Sequence, residues 1–315
     1  MHRHRVPLDA GIRSPARIGK ARRIAGGRGA MLFLQLLVNG VLLGGLYGLM
    51  ALGMALVWGV LNIVNLAHGA LIMLGGYCVY YLFTGLGIDP FAALPIAMTA
   101  MFVLGYGLQR FVLNLIIRSA LLNTLLITFG LEIVLTYLAQ LAFSADVRAI
   151  NPSYAGANMS WGGITVPSVR LAAFLVALLL AAALWLLLER TRLGRAIRAT
   201  SQNLVAARLY GVDPARLYAV TFGIGAALAG AAGGLFGLVS QIDPYIGATL
   251  TAKSFVIAIM GGLENPFGII LGGLVIGIAE ALAAIYIGPT FTDAISFGLL
   301  VLILVARPAR SLRGA

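Results

Sequence analysis

The sequence predicts an all-α membrane protein, a polytopic bundle of about eight transmembrane helices with one broken or re-entrant segment. Of its 315 residues, 61% are hydrophobic and only 10% are charged, whereas roughly a quarter of the residues in a soluble domain are charged. Apolar stretches of about 20 residues, long enough to cross a membrane as helices, recur along the chain. They are continuously apolar and do not alternate, which argues against a β-barrel.

Six apolar stretches come first and predict six ordinary transmembrane helices. The pattern changes at residues 253–287, a long apolar tract that "GGLENPFG" interrupts. Because two glycines and an Asn-Pro pair break helix propagation, we predict a half-helix, a turn and a full helix over 267–284. The final span is predicted at 291–306. The six earlier spans are predicted at 34–60, 66–83, 91–108, 121–143, 171–188 and 217–239.

Glycines recur four residues apart in several of these spans. Small residues at this spacing let helices approach closely in lipid, so we predict tight helix packing and no chemistry at these positions. The glycines concerned are Gly40, Gly44, Gly48, Gly230, Gly234, Gly268, Gly272, Gly273 and Gly277.

An arginine-rich loop, residues 190–216, sets the orientation. It holds six arginines, and loops with such an excess of basic residues stay in the cytoplasm. Counting crossings back from this loop places 151–169 outside and makes the first span begin outside. The basic C-terminal tail, 307–315, should also be cytoplasmic, so the broken tract must cross the membrane as a pair.

The first 30 residues hold eight Lys or Arg and one acid. Such a tail resists translocation, yet the crossing count places residue 31 outside. We therefore expect residues 1–30 to be a disordered tail, or a translated upstream region that is absent from a mature protein beginning at Met31. Residues 31–306 are predicted to form a single transmembrane domain.

No catalytic constellation is present in the sequence. The phosphate-binding pattern G-x-x-x-x-G-K-[ST] is missing, so the chain cannot hydrolyse ATP unaided. Cys78 is the only cysteine and His68 the only histidine beyond the tail, which excludes a disulfide or a multi-cysteine metal site. We expect no enzymatic activity and no cofactor. The net charge of +12 lies in tails and loops, which favours membrane orientation over nucleic-acid binding.

Polar side chains within the spans are candidates for a substrate path or a gate. Glu132 and Glu280 are the sharpest, since ionisable residues at membrane depth face the bundle interior or a watery path. The alternative is a carboxylate satisfied by a neighbouring helix. The stretch "NIVNLAHGALIMLGGY" places Asn62, Asn65 and His68 before the second span. The crossing count predicts that both asparagines close a cytoplasmic turn and cap the helix, which favours a structural or gating role.

A short helix is predicted inside the arginine-rich loop. Ser201 would cap it, Gly211 would end it, and Asp213 with Pro214 would start the next span. Its apolar residues would enter a groove on a partner protein. The alternative is an interfacial helix with arginines on lipid phosphates. The apolar residues are Leu204, Val205 and Leu209.

Three long blocks carry a resemblance to a known family. They are "NGVLLGGLYGLMALGMALVWGVLNIVNLAHGALIMLGGY", "RLGRAIRATSQNLVAARLYGVDPARLYAVTFGIGAALAGAAGGL" and "PYIGATLTAKSFVIAIMGGLENPFGIILGGLVIGIAEAL". In this order they resemble the branched-chain amino-acid permeases of bacterial ABC importers, the LivH-like subunits. The resemblance covers residues 32–306.

This resemblance implies an ABC importer permease in the bacterial inner membrane. A second homologous permease subunit, two ABC ATPase subunits and an extracytoplasmic substrate-binding protein would be its partners. The family's coupling segment, which moves when the ATPases close, maps onto 193–211. The block "GGLENPFG" departs from the family, because Glu264 occupies a turn that is commonly uncharged, and Glu264 joins the path candidates. The coupling positions that match are Gly194, Arg195, Arg198, Asn203, Ala206 and Gly211.

Two function classes remain open from the sequence. The first is a permease subunit of an ATP-driven importer for leucine, isoleucine and valine, or for urea or short amides within the same family. The second is a stand-alone ion-coupled carrier or channel, which would show inverted repeats and buried ionic sites of its own. A docking helix in the arginine-rich loop favours the first, since a lone carrier needs none.

Overall fold

The computed structural model describes residues 15–115, 121–161 and 163–306. These residues form α-helices, one β-hairpin and two short 3-10 turns at Leu113–Leu115 and Pro289–Phe291. The helices are α1 (Pro15–Leu61), α2 (His68–Leu86), α3 (Pro90–Phe111), α4 (Leu121–Phe143), α5 (Ser168–Arg190), α6 (Arg192–Gln202), α7 (Leu204–Leu209), α8 (Pro214–Val239), α9 (Ile246–Gly261), α10 (Pro266–Tyr286) and α11 (Thr292–Ala306), and the strands are β1 (Asn158–Trp161) and β2 (Ile164–Pro167).

The predicted all-helical bundle is confirmed. Seven of the described helices are long and apolar enough to cross a membrane, namely α1 from Met31 onward, α2, α3, α4, α5, α8 and α10. Two shorter apolar helices, α9 and α11, complete the set. Each predicted span coincides with one of these helices, and the fourth has the predicted bounds. The count within the described residues therefore agrees with eight helices and one half-helix.

The outer end of α1 lies beside the β-hairpin. Gln35 of α1 donates from Nε2 to the Thr165 carbonyl at 2.6 Å and accepts from the Thr165 backbone N–H at 2.8 Å. Residue 31 and the 151–169 loop are thus on one side, as the crossing count predicts. α1 begins at Pro15, within the basic tail. Residues 1–14 and 307–315 lie outside the described residues, and the absence of the tail from the mature protein stays a prediction.

The broken tract has the predicted form. α9 ends where Gly262 adopts a φ of +87°, a backbone conformation that favours glycine. Asn265 then caps α10, accepting a hydrogen bond at Oδ1 from the Gly268 N–H at 3.1 Å, and Pro266 occupies the first helical position. This is the usual chemistry for starting a helix. α9 and α10 therefore form an antiparallel pair, which returns the chain to the predicted cytoplasmic side at the end of α11.

The glycine ladders of α1 and α10 pack directly against each other. A Cβ added to Gly44 would lie 2.7 Å from the Gly273 carbonyl oxygen, and one added to Gly40 would lie 2.7 Å from Ile278 Cα. Gly277 meets Gly40 and Gly44 in the same way. In lipid, helices associate through close packing and not through the hydrophobic effect. The predicted packing role of these glycines is confirmed, and it fixes α1 against α10.

We expect Gly44→Ala to destabilise the protein, because the added methyl group must displace the α10 backbone. Overpacking of this kind costs about 1–3 kcal/mol. The measurement is the thermal unfolding temperature in one detergent, compared with that of Gly107→Ala. Gly107 lies in α3 with nothing within 4 Å of the added carbon, and alanine favours the helix, so this control should unfold at the wild-type temperature or above. Equal unfolding temperatures for the two variants would contradict the close contact.

Candidate functional site

A buried ionic cluster joins four helices. The Lys253 ammonium of α9 lies 2.9 Å from Glu280 Oε1 of α10 and 3.1 Å from Asp293 Oδ1 of α11. Glu280 also accepts hydrogen bonds from Tyr47 of α1 at 2.9 Å and from Ser296 of α11 at 2.6 Å. The Glu280 side chain is 5% exposed and that of Lys253 11%, whereas Asp293 is 55% exposed.

The balance of charge explains this arrangement. A lone carboxylate at membrane depth is costly, and such groups are paired in membrane proteins. Lys253 and two hydroxyl donors satisfy Glu280 fully, and the second carboxylate, Asp293, remains partly in contact with the surroundings. Glu280 is therefore held by contacts with neighbouring helices. The cluster can hold α1, α9, α10 and α11 together, and it changes its contacts if any of them moves.

The turn between α1 and α2 folds back into the bundle. His68 begins α2, and its Nε2 lies 2.9 Å from the carbonyl oxygen of Met50, about 16 Å along α1 from its end at Leu61. The Gly69 N–H donates to Thr251 Oγ1 of α9 at 2.8 Å. The predicted turn exists, and its inner end is buried against α9.

Asn65 and Asn62 differ within this turn. Asn65 is 2% exposed, and its Oδ1 accepts a hydrogen bond from the Ala67 N–H at 3.1 Å, which closes the turn as predicted. Asn62 is exposed and has a φ of +53°. Neither caps α2, since Ala67 occupies the cap position without a side-chain bond. Asn65 Nδ2 and His68 Nδ1 are buried without a partner among the described residues.

The other two path candidates lie apart from the cluster. Glu132 lies on α4, where Thr136 of the same helix donates to its Oε1 at 3.3 Å. Glu264 is exposed in the turn between α9 and α10. It lines a cavity of about 380 Å³ together with Glu189 and Arg198, which places it beside the arginine-rich loop. Of the three glutamates among the path candidates, the described structure places only Glu280 in the ionic cluster.

The arginine-rich loop forms two helices, α6 and α7, with Asn203 between them. Asn203 Oδ1 accepts a hydrogen bond from the Ala206 N–H at 3.0 Å and caps α7. The predicted cap, Ser201, is wrong, because its hydroxyl donates to the Arg198 carbonyl inside α6. Gly211 follows α7 with a φ of +81°, and Asp213 caps α8 through the Ala215 N–H at 3.0 Å. These last two features agree with the predictions.

Gly194 and Arg198 fix α6 to α5. A Cβ on Gly194 would collide with the carbonyl oxygens of Leu187 and Leu188, so only glycine allows this tight corner. Arg198 forms an ion pair of 2.6 Å with Glu189 at the end of α5. Arg195, in contrast, is exposed and has no ion pair in the described part of the chain. Of the two arginines, only Arg195 is free for a partner.

A docking patch, defined as Val205, Leu209 and Tyr210, stands on α7 and the residue after it. These side chains are 68%, 83% and 90% exposed, although they lie outside the membrane-spanning helices. Leu204, predicted to belong to the same surface, is half-buried. Exposed apolar residues that cluster next to charged ones mark interaction sites.

Sequence reasoning missed part of the ionic cluster. No local pattern marks Tyr47, Ser296 or Asp293. The fold brings the first two to Glu280 and Asp293 to Lys253. The pairing of Glu280 with Lys253 could have been predicted from the sequence. Lys253 is one of two lysines in the chain, and buried charges in membrane proteins are paired. In the described residues, no three His, Cys, Asp or Glu side chains group in a way that could hold a metal ion.

The fold defines a multi-pass helical membrane protein, with exposed apolar side chains on a helical loop outside the spans. Over residues 36–304 the chain matches the family described as "Branched-chain amino acid transport system / permease component". The chain belongs to this family. As a permease component it is a multi-pass transmembrane subunit without a catalytic role.

Several relatives agree with this family. The chain is 34% identical over 290 residues to the high-affinity branched-chain amino acid transport system permease protein BraD of Pseudomonas aeruginosa, covering 88% of this chain and 94% of that one. LivH of Escherichia coli K12 is 33% identical over 289 residues with the same coverage. LivM of the same strain is 30% identical over 287 residues, covering 84% of this chain and 67% of LivM. Similarity to two different permease proteins of one organism indicates a transport system with partner subunits.

We expect Lys253→Met to destabilise the protein strongly, by about 3–5 kcal/mol, because it leaves Glu280 without its cation. Adding Glu280→Leu removes the stranded charge, so the double variant should be more stable than Lys253→Met alone. Thermal unfolding in detergent measures both. Arg148→Met is the control, since its partner Asp146 is 70% exposed and such pairs contribute about 0–1 kcal/mol. Additive losses in the double variant would contradict the coupling of the two residues.

Proposed function

We propose that this chain forms part of the translocation path of an ATP-driven importer for leucine, isoleucine and valine in the bacterial inner membrane. A second homologous permease would complete the path, two ABC ATPases would bind on the cytoplasmic side, and an extracytoplasmic binding protein would deliver the solute. The printed functions of the relatives support the substrate class.

The docking patch is the observation that carries the ATP-driven mechanism. A chain without a phosphate-binding loop needs another subunit to hydrolyse ATP. Val205, Leu209 and Tyr210 offer an ATPase subunit an apolar surface at the predicted cytoplasmic face, and Arg195 adds a free cation. A short helix that inserts apolar residues into a groove is a known mode of recognition. A stand-alone carrier or channel leaves this surface without a use.

The contacts around α6 suggest how movement would reach the bundle. The Gly194 corner and the Arg198–Glu189 ion pair tie α6 to α5, and the cavity beside Glu264 separates α6 from the start of α10. A displacement of α7 by the ATPase would therefore move α5 directly and close or open this cavity. α10 carries Glu280, so its motion would reach the ionic cluster and the helices that the cluster joins.

The path and gating candidates fit into this scheme at different places. Glu280 would act as a hinge contact whose partners change between outward-open and inward-open states. Asn65 and His68 hold the start of α2 against α1 and α9, so they would position the gate without contacting solute first. Glu264 would lie at the cytoplasmic exit. Glu132, bonded only within α4 among the described contacts, has the least support.

We expect Leu209→Glu to lower leucine uptake by about tenfold or more, since a central apolar contact contributes about 2 kcal/mol or more to an interface. Met159→Glu is the matched control, because Met159 is a 62% exposed apolar residue in the outer hairpin. The measurements are co-purification of the ATPase subunits and uptake of radiolabelled leucine by cells that lack their own system.

Only Leu209→Glu should lose the ATPase subunits, while both variants should reach the membrane in wild-type amounts. Retention of the ATPase subunits by Leu209→Glu would contradict the docking assignment. Uptake of urea or acetamide in preference to leucine by the wild type would contradict the substrate assignment and favour the alternative within the family.

A further inference from the structure

A second cavity, of about 370 Å³, opens on the outer side of the bundle. The outer end of α1, the 151–158 loop, the hairpin, the start of α5 and the end of α8 line it. This volume falls in the range of roughly 300–1,000 Å³ that is typical of small-molecule sites. The cavity lies on the membrane face opposite the docking patch, where a solute would arrive.

The cavity is lined by one arginine without an ion-pair partner among the described residues. Arg170 lines the cavity from the first turn of α5 and makes no hydrogen bond or ion pair with the described residues. Arg148, the other described arginine on this side, is paired with Asp146 at 3.1 Å. After Ser168, whose N–H donates to the Ala157 carbonyl at 3.0 Å, the first turn of α5 has unsatisfied N–H groups and the positive end of the helix dipole. A guanidinium beside a helix N-terminus is suited to a carboxylate.

Hydrogen-bond acceptors also line the cavity. Leu238 and Val239, the last residues of α8, line the cavity, and the carbonyl end of a helix carries partial negative charge. Asn39 Oδ1 is buried without a partner among the described residues, which costs free energy. Asn39 also lines the cavity, and a rotation of its side-chain amide by 180° would turn the oxygen into the cavity. The lining contains no Asp or Glu side chain within the described residues.

The combination matches one class of ligand. We propose that this cavity is an outer binding site for an α-amino acid zwitterion, with its carboxylate at Arg170 and the first turn of α5. The ammonium would lie at Asn39 and the carbonyl end of α8, and an aliphatic side chain would lie on Leu238 and Val239. Asn151 and Asn158 supply further amide groups at the mouth of the cavity. The hairpin that carries Asn158 is held to α1 by the Gln35–Thr165 hydrogen bonds.

This inference rests on the proposed function and deepens it, since it names residues that would receive the solute from the binding protein. Leucine, isoleucine and valine share the same α-carboxylate and α-ammonium groups, so a site that recognises these two charges accepts all three. It also excludes urea and short amides, which carry neither charge.

The experiment measures leucine binding to the complete transporter without its binding protein, by equilibrium dialysis with radiolabelled leucine. Arg170→Gln should weaken binding by about tenfold or more, because it removes a charge-assisted hydrogen bond. Arg170→Lys should restore part of the affinity. Arg148→Gln, which removes the paired arginine outside the cavity, should bind as the wild type does. On the wild type, leucinol and 4-methylpentanoate should compete poorly with leucine, since each lacks one of the two charges.

Wild-type affinity in Arg170→Gln, absent leucine binding in the wild type, or equal competition by leucinol would each overturn the site. The competition arm uses the wild type alone and decides the matter even if Arg170→Gln fails to fold. Leucine uptake by the wild type, measured in parallel, tests the proposed function separately. If the wild type takes up leucine and Arg170→Gln binds leucine as tightly as the wild type, only the outer site is overturned. If the wild type takes up no leucine, the proposed function is overturned.

Discussion

The direct contact between the backbones of α1 and α10 is the constraint on which the rest of the structure depends. Lipid tails are as apolar as leucine, so apolar side chains alone do not drive helices together in a membrane. Gly44 and Gly273 let the two backbones approach to a distance at which no side-chain carbon fits. α1 thereby becomes the central helix, and α5, α8 and α9 pack around it.

The ionic cluster follows from this close approach. With α1 held against α10, the Tyr47 hydroxyl reaches Glu280, and α9 brings Lys253 to the same carboxylate. The cost of a charge at membrane depth is met by contacts between helices that are far apart in sequence. A transporter must alternate between two arrangements of its helices, and a cluster that joins four of them restricts which movements are possible. The docking patch and the cluster lie at opposite ends of this mechanical connection, with α6 and α10 between them.

The sequence alone predicted the helices well, because the length and the boundaries of each membrane span follow from the hydropathy of its own residues. It predicted the turn at Asn265 for the same reason, since helix caps and proline are local signals. It failed where the answer depends on tertiary contacts. Ser201 and Asn203 are both good cap residues, and only the packing of α6 decides that the break falls at Asn203. The partners of Glu280 and the outer cavity around Arg170 likewise join segments that no local pattern connects.

We infer that this chain transports amino acids only as a subunit of an assembly in which other subunits hydrolyse ATP. Uptake of radiolabelled leucine into proteoliposomes tests it most directly, with the chain reconstituted alone or with the second permease, the ATPases and the binding protein. We expect leucine accumulation only in the complete assembly with ATP at the ATPase face, and none with the chain alone under a proton or sodium gradient. Gradient-driven accumulation by the chain alone would contradict it.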